Sequence, residues 1–94
     1  MSTFIYSAWF SNSDTAPDDQ DREWIACIGI DAETMDEARE WGDVLAAGYV
    51  ERQASESFMR SSIEVPEGNE GLADLATLPR VVVGEVPSDE VIGW

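Results

Sequence analysis

Residues 34–52 read TMDEAREWGDVLAAGYVER, and this stretch decides the architecture of the chain. Thr34 followed three residues later by Glu37 is the Thr-x-x-Glu capping box, in which each side chain satisfies a backbone amide that the first helical turn leaves unpaired. Behind it, Met35, Ala38, Trp41, Leu45 and Tyr49 recur at the three- and four-residue spacing that lines one face of a helix. The spacing predicts one long helix reaching Arg52. Gly42 and Gly48 interrupt it, each costing about 1 kcal/mol relative to alanine, and close approach to a sheet would compensate. The opposite face carries Asp36, Arg39, Glu40 and Asp43. There Arg39 and Asp43 are spaced for an i, i+4 ion pair, while Asp36 and Glu40 are spaced to repel.

Toward the N-terminus, residues 3–10 (TFIYSAWF) are aromatic and β-favouring, with Phe4, Tyr6, Ala8 and Phe10 on one face and Ile5, Ser7 and Trp9 on the other. This is a strand. The Ser, Asn, Asp and Pro content of residues 11–23 marks an exposed acidic loop. Residues 24–30 (WIACIGI) resume an apolar run of strand length, expected to lie antiparallel to the first strand and within the core.

Toward the C-terminus, residues 58–65 (FMRSSIEV) alternate, placing Met59, Ser61, Ile63 and Val65 inward and Phe58, Arg60, Ser62 and Glu64 toward solvent. A loop marked by Pro66, Gly68, Asn69 and Gly71 precedes residues 72–78, read as a short helix ending before Pro79. Residues 80–86 (RVVVGEV) are the fourth strand, bounded by Pro79 and Pro87. Ser88 caps a final turn, with Val91, Ile92 and Trp94 available to dock on the core.

The expected fold is α+β: a single four-stranded sheet with one main helix packed on one face, in the order β-β-α-β-short α-β. The β-α-β portion should form a right-handed crossover between parallel strands. The order resembles ferredoxin-like arrangements only loosely, because that fold carries a helix after its first strand, where this chain has a polar loop.

At 94 residues the expectation is one domain spanning 1–94. The Leu, Ile, Val and Phe content stands just above the level of roughly 20% below which highly charged chains stay unfolded. Tryptophans Trp9, Trp24, Trp41 and Trp94 tip the balance toward folding.

Charge is the most unusual feature: 20 carboxylates against 5 cations give a formal net charge of -15. The cations are all arginine, and the chain has neither lysine nor histidine. Such a chain is repelled by nucleic acid and by anionic membranes, so neither is expected as a direct ligand. Missing histidine removes Ser-His-Asp and Cys-His catalysis and histidine metal sites; missing lysine removes Schiff-base and P-loop chemistry. The one cysteine, Cys27, cannot form an intramolecular disulfide and is read as a small core hydrophobe. Without a signal sequence or a long apolar run, the chain is expected to be cytoplasmic.

No cofactor, metal or catalytic residue is assigned. The loop carboxylates Asp14, Asp18, Asp19, Asp21 and Glu23 could offer oxygen ligands, but Trp24 and Ile30 stand where an EF-hand needs glycine and glutamate. Asp31, Glu33 and Glu64 could supply a carboxylate pair, a weak signal in so acidic a chain.

The functional expectation is a non-enzymatic protein-interaction domain that binds a basic protein partner, as an immunity protein or an inhibitor does. Its surface would comprise Ile5 and Trp9 as an exposed apolar patch, with Asp18, Asp19, Asp21, Asp36, Glu40 and Asp43 as the acidic part. Negative charge steers a cationic partner, and buried aromatic anchors supply most of the affinity. The alternatives are a salt-adapted homodimeric or accessory module whose acidity reflects its solvent, and a carboxylate-based ligand- or metal-binding domain.

Overall fold

The computed structural model describes residues 2–13, 23–53, 55–66, 78–92 and 94. Its elements are β1 (Ser2–Asn12), β2 (Glu23–Ala32), α1 (Met35–Arg52), β3 (Glu56–Glu64), β4 (Arg80–Val82) and α2 (Asp89–Ile92). The four strands form one sheet in the order β3-β1-β2-β4, with β1 antiparallel to both β2 and β3 and β4 parallel to β2. β2 and β3 are therefore parallel to each other, joined by α1 with β1 between them. The α+β arrangement read from the sequence stands. The short helix expected at 72–78 falls almost wholly outside the described residues.

α1 forms where its cap and stripe place it. The Thr34 hydroxyl accepts from the Glu37 amide at 3.1 Å, which is one half of the capping box. Ala38, Gly42, Leu45, Ala46 and Tyr49 are buried against the sheet, and Trp41 is half-buried beside them. Gly42 supplies the close approach. A Cβ built there would lie 2.4 Å from Cδ2 and Cε2 of Tyr6, which is 0% exposed on the central strand. Gly48 meets nothing of the sheet, only the end of Arg52 at 3.2 Å. The intrahelical Arg39–Asp43 pair does not form, because both residues have partners on the sheet. Arg39 donates to the Oγ and carbonyl of Ser61, and Asp43 accepts from the Tyr6 hydroxyl at 2.7 Å.

The core lies between α1 and one sheet face. Phe4, Tyr6, Ala8 and Phe10 of β1 contribute to it as alternation predicts, joined by Ile28, Ile30 and Ala32 of β2 and Val81 of β4. At one end Phe10 is enclosed by Trp24, Tyr49, Phe58 and Trp94, at ring-centroid distances of 4.7, 5.3, 5.8 and 5.6 Å.

Phe58 thus faces the core, contrary to the alternation read over 58–65. The register of β3 on β1 shifts between Trp9 and Phe10, leaving Met59 unpaired as a bulge and 49% exposed. One extra residue reverses the parity of everything before it. From Arg60 to Glu64 the predicted facing holds. The fourth strand is also shorter than expected, ending at Val82. A tight turn follows, in which Gly84 takes φ +97° and the Glu85 amide donates to the Val82 carbonyl at 2.9 Å. Positive φ at the third position of a turn is a glycine role. Trp41 Nε1 ties that turn to α1 through the Glu85 carbonyl at 2.9 Å. Ser88 caps α2 as predicted, and Ile92 and Trp94 dock on the core while Val91 stays exposed.

Candidate functional site

The face of the sheet turned away from α1 is ordered in transverse rows by the strand register. Arg60, Trp9 and Ile25 are paired across β3, β1 and β2; the next row is Ser62, Ser7 and Cys27; the next is Glu64, Ile5 and Gly29. The middle row carries only small side chains, between the large Trp9 and Ile25 on one side and Glu64 on the other, so the surface dips there. A groove of about 430 Å³ results, lined among the described residues by Ser7, Trp9, Ile25, Cys27, Ser62 and Glu64.

Each wall has a distinct chemistry. Trp9 is half-buried, and the Arg60 guanidinium lies over its ring, with Cζ 4.9 Å from the centroid, a cation–π arrangement. Ile25 is 54% exposed beside it. The floor holds the Ser7 hydroxyl and the Cys27 thiol 3.3 Å apart. Cys27 is thus half-buried on the face turned away from α1 and not in the core. Its parity in β2 turns it away from α1. Among the described residues that line the groove, neither histidine nor lysine adjoins the Ser7–Cys27 pair.

The third wall is Glu64, half-buried, its carboxylate without a hydrogen bond or ion pair among the described residues. The described arginines are committed elsewhere. Arg39 binds Ser61, Arg52 pairs with Asp89, Arg60 covers Trp9, and Arg80 pairs with Asp31 at 2.8 Å. The Arg80 guanidinium and the Thr3 hydroxyl both donate to Asp31 and hold its carboxyl below the ordinary carboxylate range. The Arg52 guanidinium does the same for Asp89, assisted by Trp94 Nε1.

Of the surface residues expected from the sequence, Trp9 lines the groove, but Ile5 does not share an exposed patch with it. Ile5 is 1% exposed on the central strand, and the apolar neighbour of Trp9 at the surface is Ile25, its partner on β2. Asp36 and Glu40 are exposed on the outer side of α1, near Glu33 and Glu37. Asp43 is only half exposed, and its carboxylate is engaged by Tyr6. Asp18, Asp19 and Asp21 lie outside the described residues. The acidic helix surface and the groove occupy opposite faces of the molecule, so the expected surface is two sites. Burial, then the Asp43 carboxylate, push the Tyr6 phenol above its ordinary value.

Among the described residues, no group of three or more His, Cys, Asp or Glu side chains comes together to hold a metal ion. No helix among them is long and apolar enough to cross a membrane. The carboxylates weighed for paired chemistry are separated in role: Asp31 is bound by Arg80 and Thr3, Glu33 is exposed, and Glu64 lines the groove. The chain matches no protein-family model, no curated protein and no solved structure.

Proposed function

We propose that this chain is a non-enzymatic binding module for a basic protein partner, acting in the manner of an immunity protein or inhibitor. The observation that carries the reading is a groove with an aromatic and aliphatic rim on the sheet face turned away from α1, in a chain whose net charge is -15. Trp9 and Ile25 supply the apolar anchor that interfaces concentrate their affinity on. Carboxylates without an ion pair among the described residues, Glu33 just before α1, Asp36, Glu37 and Glu40 on it and Glu64 in the groove, supply the field that steers a cationic partner and fixes its orientation. The floor of small hydroxyl and thiol groups fits recognition better than catalysis.

The test is capture from the native lysate on immobilised protein, with elution by a salt gradient and identification by mass spectrometry. The reading requires a basic protein that is retained at about 0.1 M salt and released as screening rises. Recovery of this chain alone refutes it.

The absence of lysine among the cations favours one rival, in which the acidity is a solvent adaptation of a homodimeric or accessory module. That rival requires thermal stability to rise between about 0.05 M and 2 M salt, as repulsion is screened. Stability that is flat or falling over that range removes it.

A further inference from the structure

The charge bookkeeping of the described residues leaves one conspicuous gap, at Glu64. Every described arginine has a partner elsewhere, so this half-buried carboxylate faces the groove with no cation of its own. A carboxylate drawn partly out of water attracts a cation more strongly than one in bulk solvent, because the local dielectric is lower. The other end of the groove is apolar, formed by Trp9 and Ile25, and the floor between is small. Along the strands the Trp9 and Glu64 rows are four residues apart, about 13 Å at roughly 3.3 Å per residue. The site therefore offers an apolar wall, a shallow polar floor and a terminal negative charge, in that order.

We infer that this groove receives one long cationic side chain of the basic partner, its aliphatic stem lying over Ser7 and Cys27 against Trp9 and Ile25, and its charged head at Glu64. The inference rests on the binding-module reading and adds to it the anchoring site and the chemistry of the anchored residue. An amphipathic occupant fits because a long basic side chain buries its stem on apolar surface while keeping its head in a polar setting. A purely apolar occupant would leave the Glu64 charge further desolvated and unpaired, which is costly. A free anion is opposed by the same charge.

The experiment titrates isotope-labelled protein with acetyl-Gly-Arg-Gly-amide, using the matching citrulline peptide as the neutral control, and follows amide and indole signals by NMR. The expected result is movement of the Trp9 indole N–H and of the Ser7, Cys27 and Ser62 amides. Affinity should be about fivefold weaker for citrulline, and weaker by a similar factor for Glu64→Gln with the arginine peptide. Unchanged signal dispersion verifies that Glu64→Gln is folded. A second variant, Ser62→Phe, fills the floor and should abolish the same shifts while leaving those of α1 in place. Equal binding of the two peptides overturns the inference, as do absence of shifts and shifts confined to the carboxylates of α1. The broader reading has a separate outcome: a basic partner captured equally by wild type and Glu64→Gln leaves the module standing and removes the groove as its anchor site.

Discussion

Gly42→Ala is the substitution whose outcome the packing of this molecule determines most sharply. In an exposed helix the change would stabilise by about 1 kcal/mol, because alanine is the better helix former. Here the added Cβ lands 2.4 Å from two ring carbons of Tyr6 and 2.6 Å from a third, more than about 1 Å inside comfortable carbon–carbon contact. Tyr6 cannot give way easily. It is fully buried on the central strand, and its hydroxyl is held by Asp43 at 2.7 Å. Overpacking of a tight core costs about 1–3 kcal/mol, and so deep an overlap belongs at the upper end. Subtracting the propensity gain leaves about 2 kcal/mol of destabilisation, a fall in Tm of about 8–16 °C for a domain of this size. Gly48→Ala is the internal control, since its Cβ meets only the movable end of Arg52 at 3.2 Å. That variant should raise Tm by about 4–8 °C. Thermal and urea unfolding followed by circular dichroism measure both. In a Tyr6→Leu background the penalty at Gly42 should shrink by more than about 1 kcal/mol, the coupling expected of residues in contact. The reasoning is refuted if Gly42→Ala matches or exceeds wild type, or if the two alanine variants shift Tm in the same direction.

Phe10→Ala removes the ring that Trp24, Tyr49, Phe58 and Trp94 surround and should cost about 3–5 kcal/mol, read as loss of the cooperative urea transition or its shift to low denaturant. The carboxyls of Asp31 and Asp89 are held below their ordinary value of 3.8 when folded; their contribution is therefore present above that pH and lost as pH falls through the folded values. Tm measured from about pH 6 to pH 2 should fall less steeply in Arg80→Gln and Arg52→Gln than in wild type, and identical acid slopes would contradict the assignment. Both tyrosines, Tyr6 and Tyr49, are raised above their ordinary 10.0, chiefly by burial. The stability that they contribute is full below that pH and lost as pH climbs toward the folded values, so absorbance near 295 nm should rise with unfolding. A tyrosinate signal that grows near pH 10 while circular dichroism stays native would contradict this.

What was legible in the sequence was local. Thr34 and Glu37 bracket the start of α1, the apolar stripe fixes its buried face, and the alternation of β1 sorts Tyr6 from Ser7 without reference to any other strand. What was not legible depended on pairing. The bulge at Met59 exists only relative to β1, so strict alternation placed Phe58 outside, although an aromatic in that position was itself a sign of inward facing. The helical rule for Arg39 and Asp43 lost to partners distant in sequence, Ser61 and Tyr6. Gly84 within RVVVGEV was the available signal that the strand would turn early. Cys27 was read as core because WIACIGI looks buried throughout; α1 packs on one face, and alternate members of that run lie on the other. The groove needed the register of three strands, which brings Ser62, Ser7 and Cys27 into one row, and no short motif encodes it.

The central claim is that the negative surface serves recognition and is more than a response to solvent. Its most direct test is the double variant Asp36→Asn/Glu40→Gln, measured for both stability and affinity toward the captured basic partner. Relief of the i, i+4 repulsion and loss of the favourable Asp36–helix dipole interaction are of similar size, so stability should stay within about 0.5 kcal/mol of wild type. The account predicts that affinity nevertheless falls by about threefold at low salt, with association slowed more than dissociation is hastened, because the long-range field of these charges steers encounter even from the face opposite the groove. Unchanged association kinetics at low salt would contradict it.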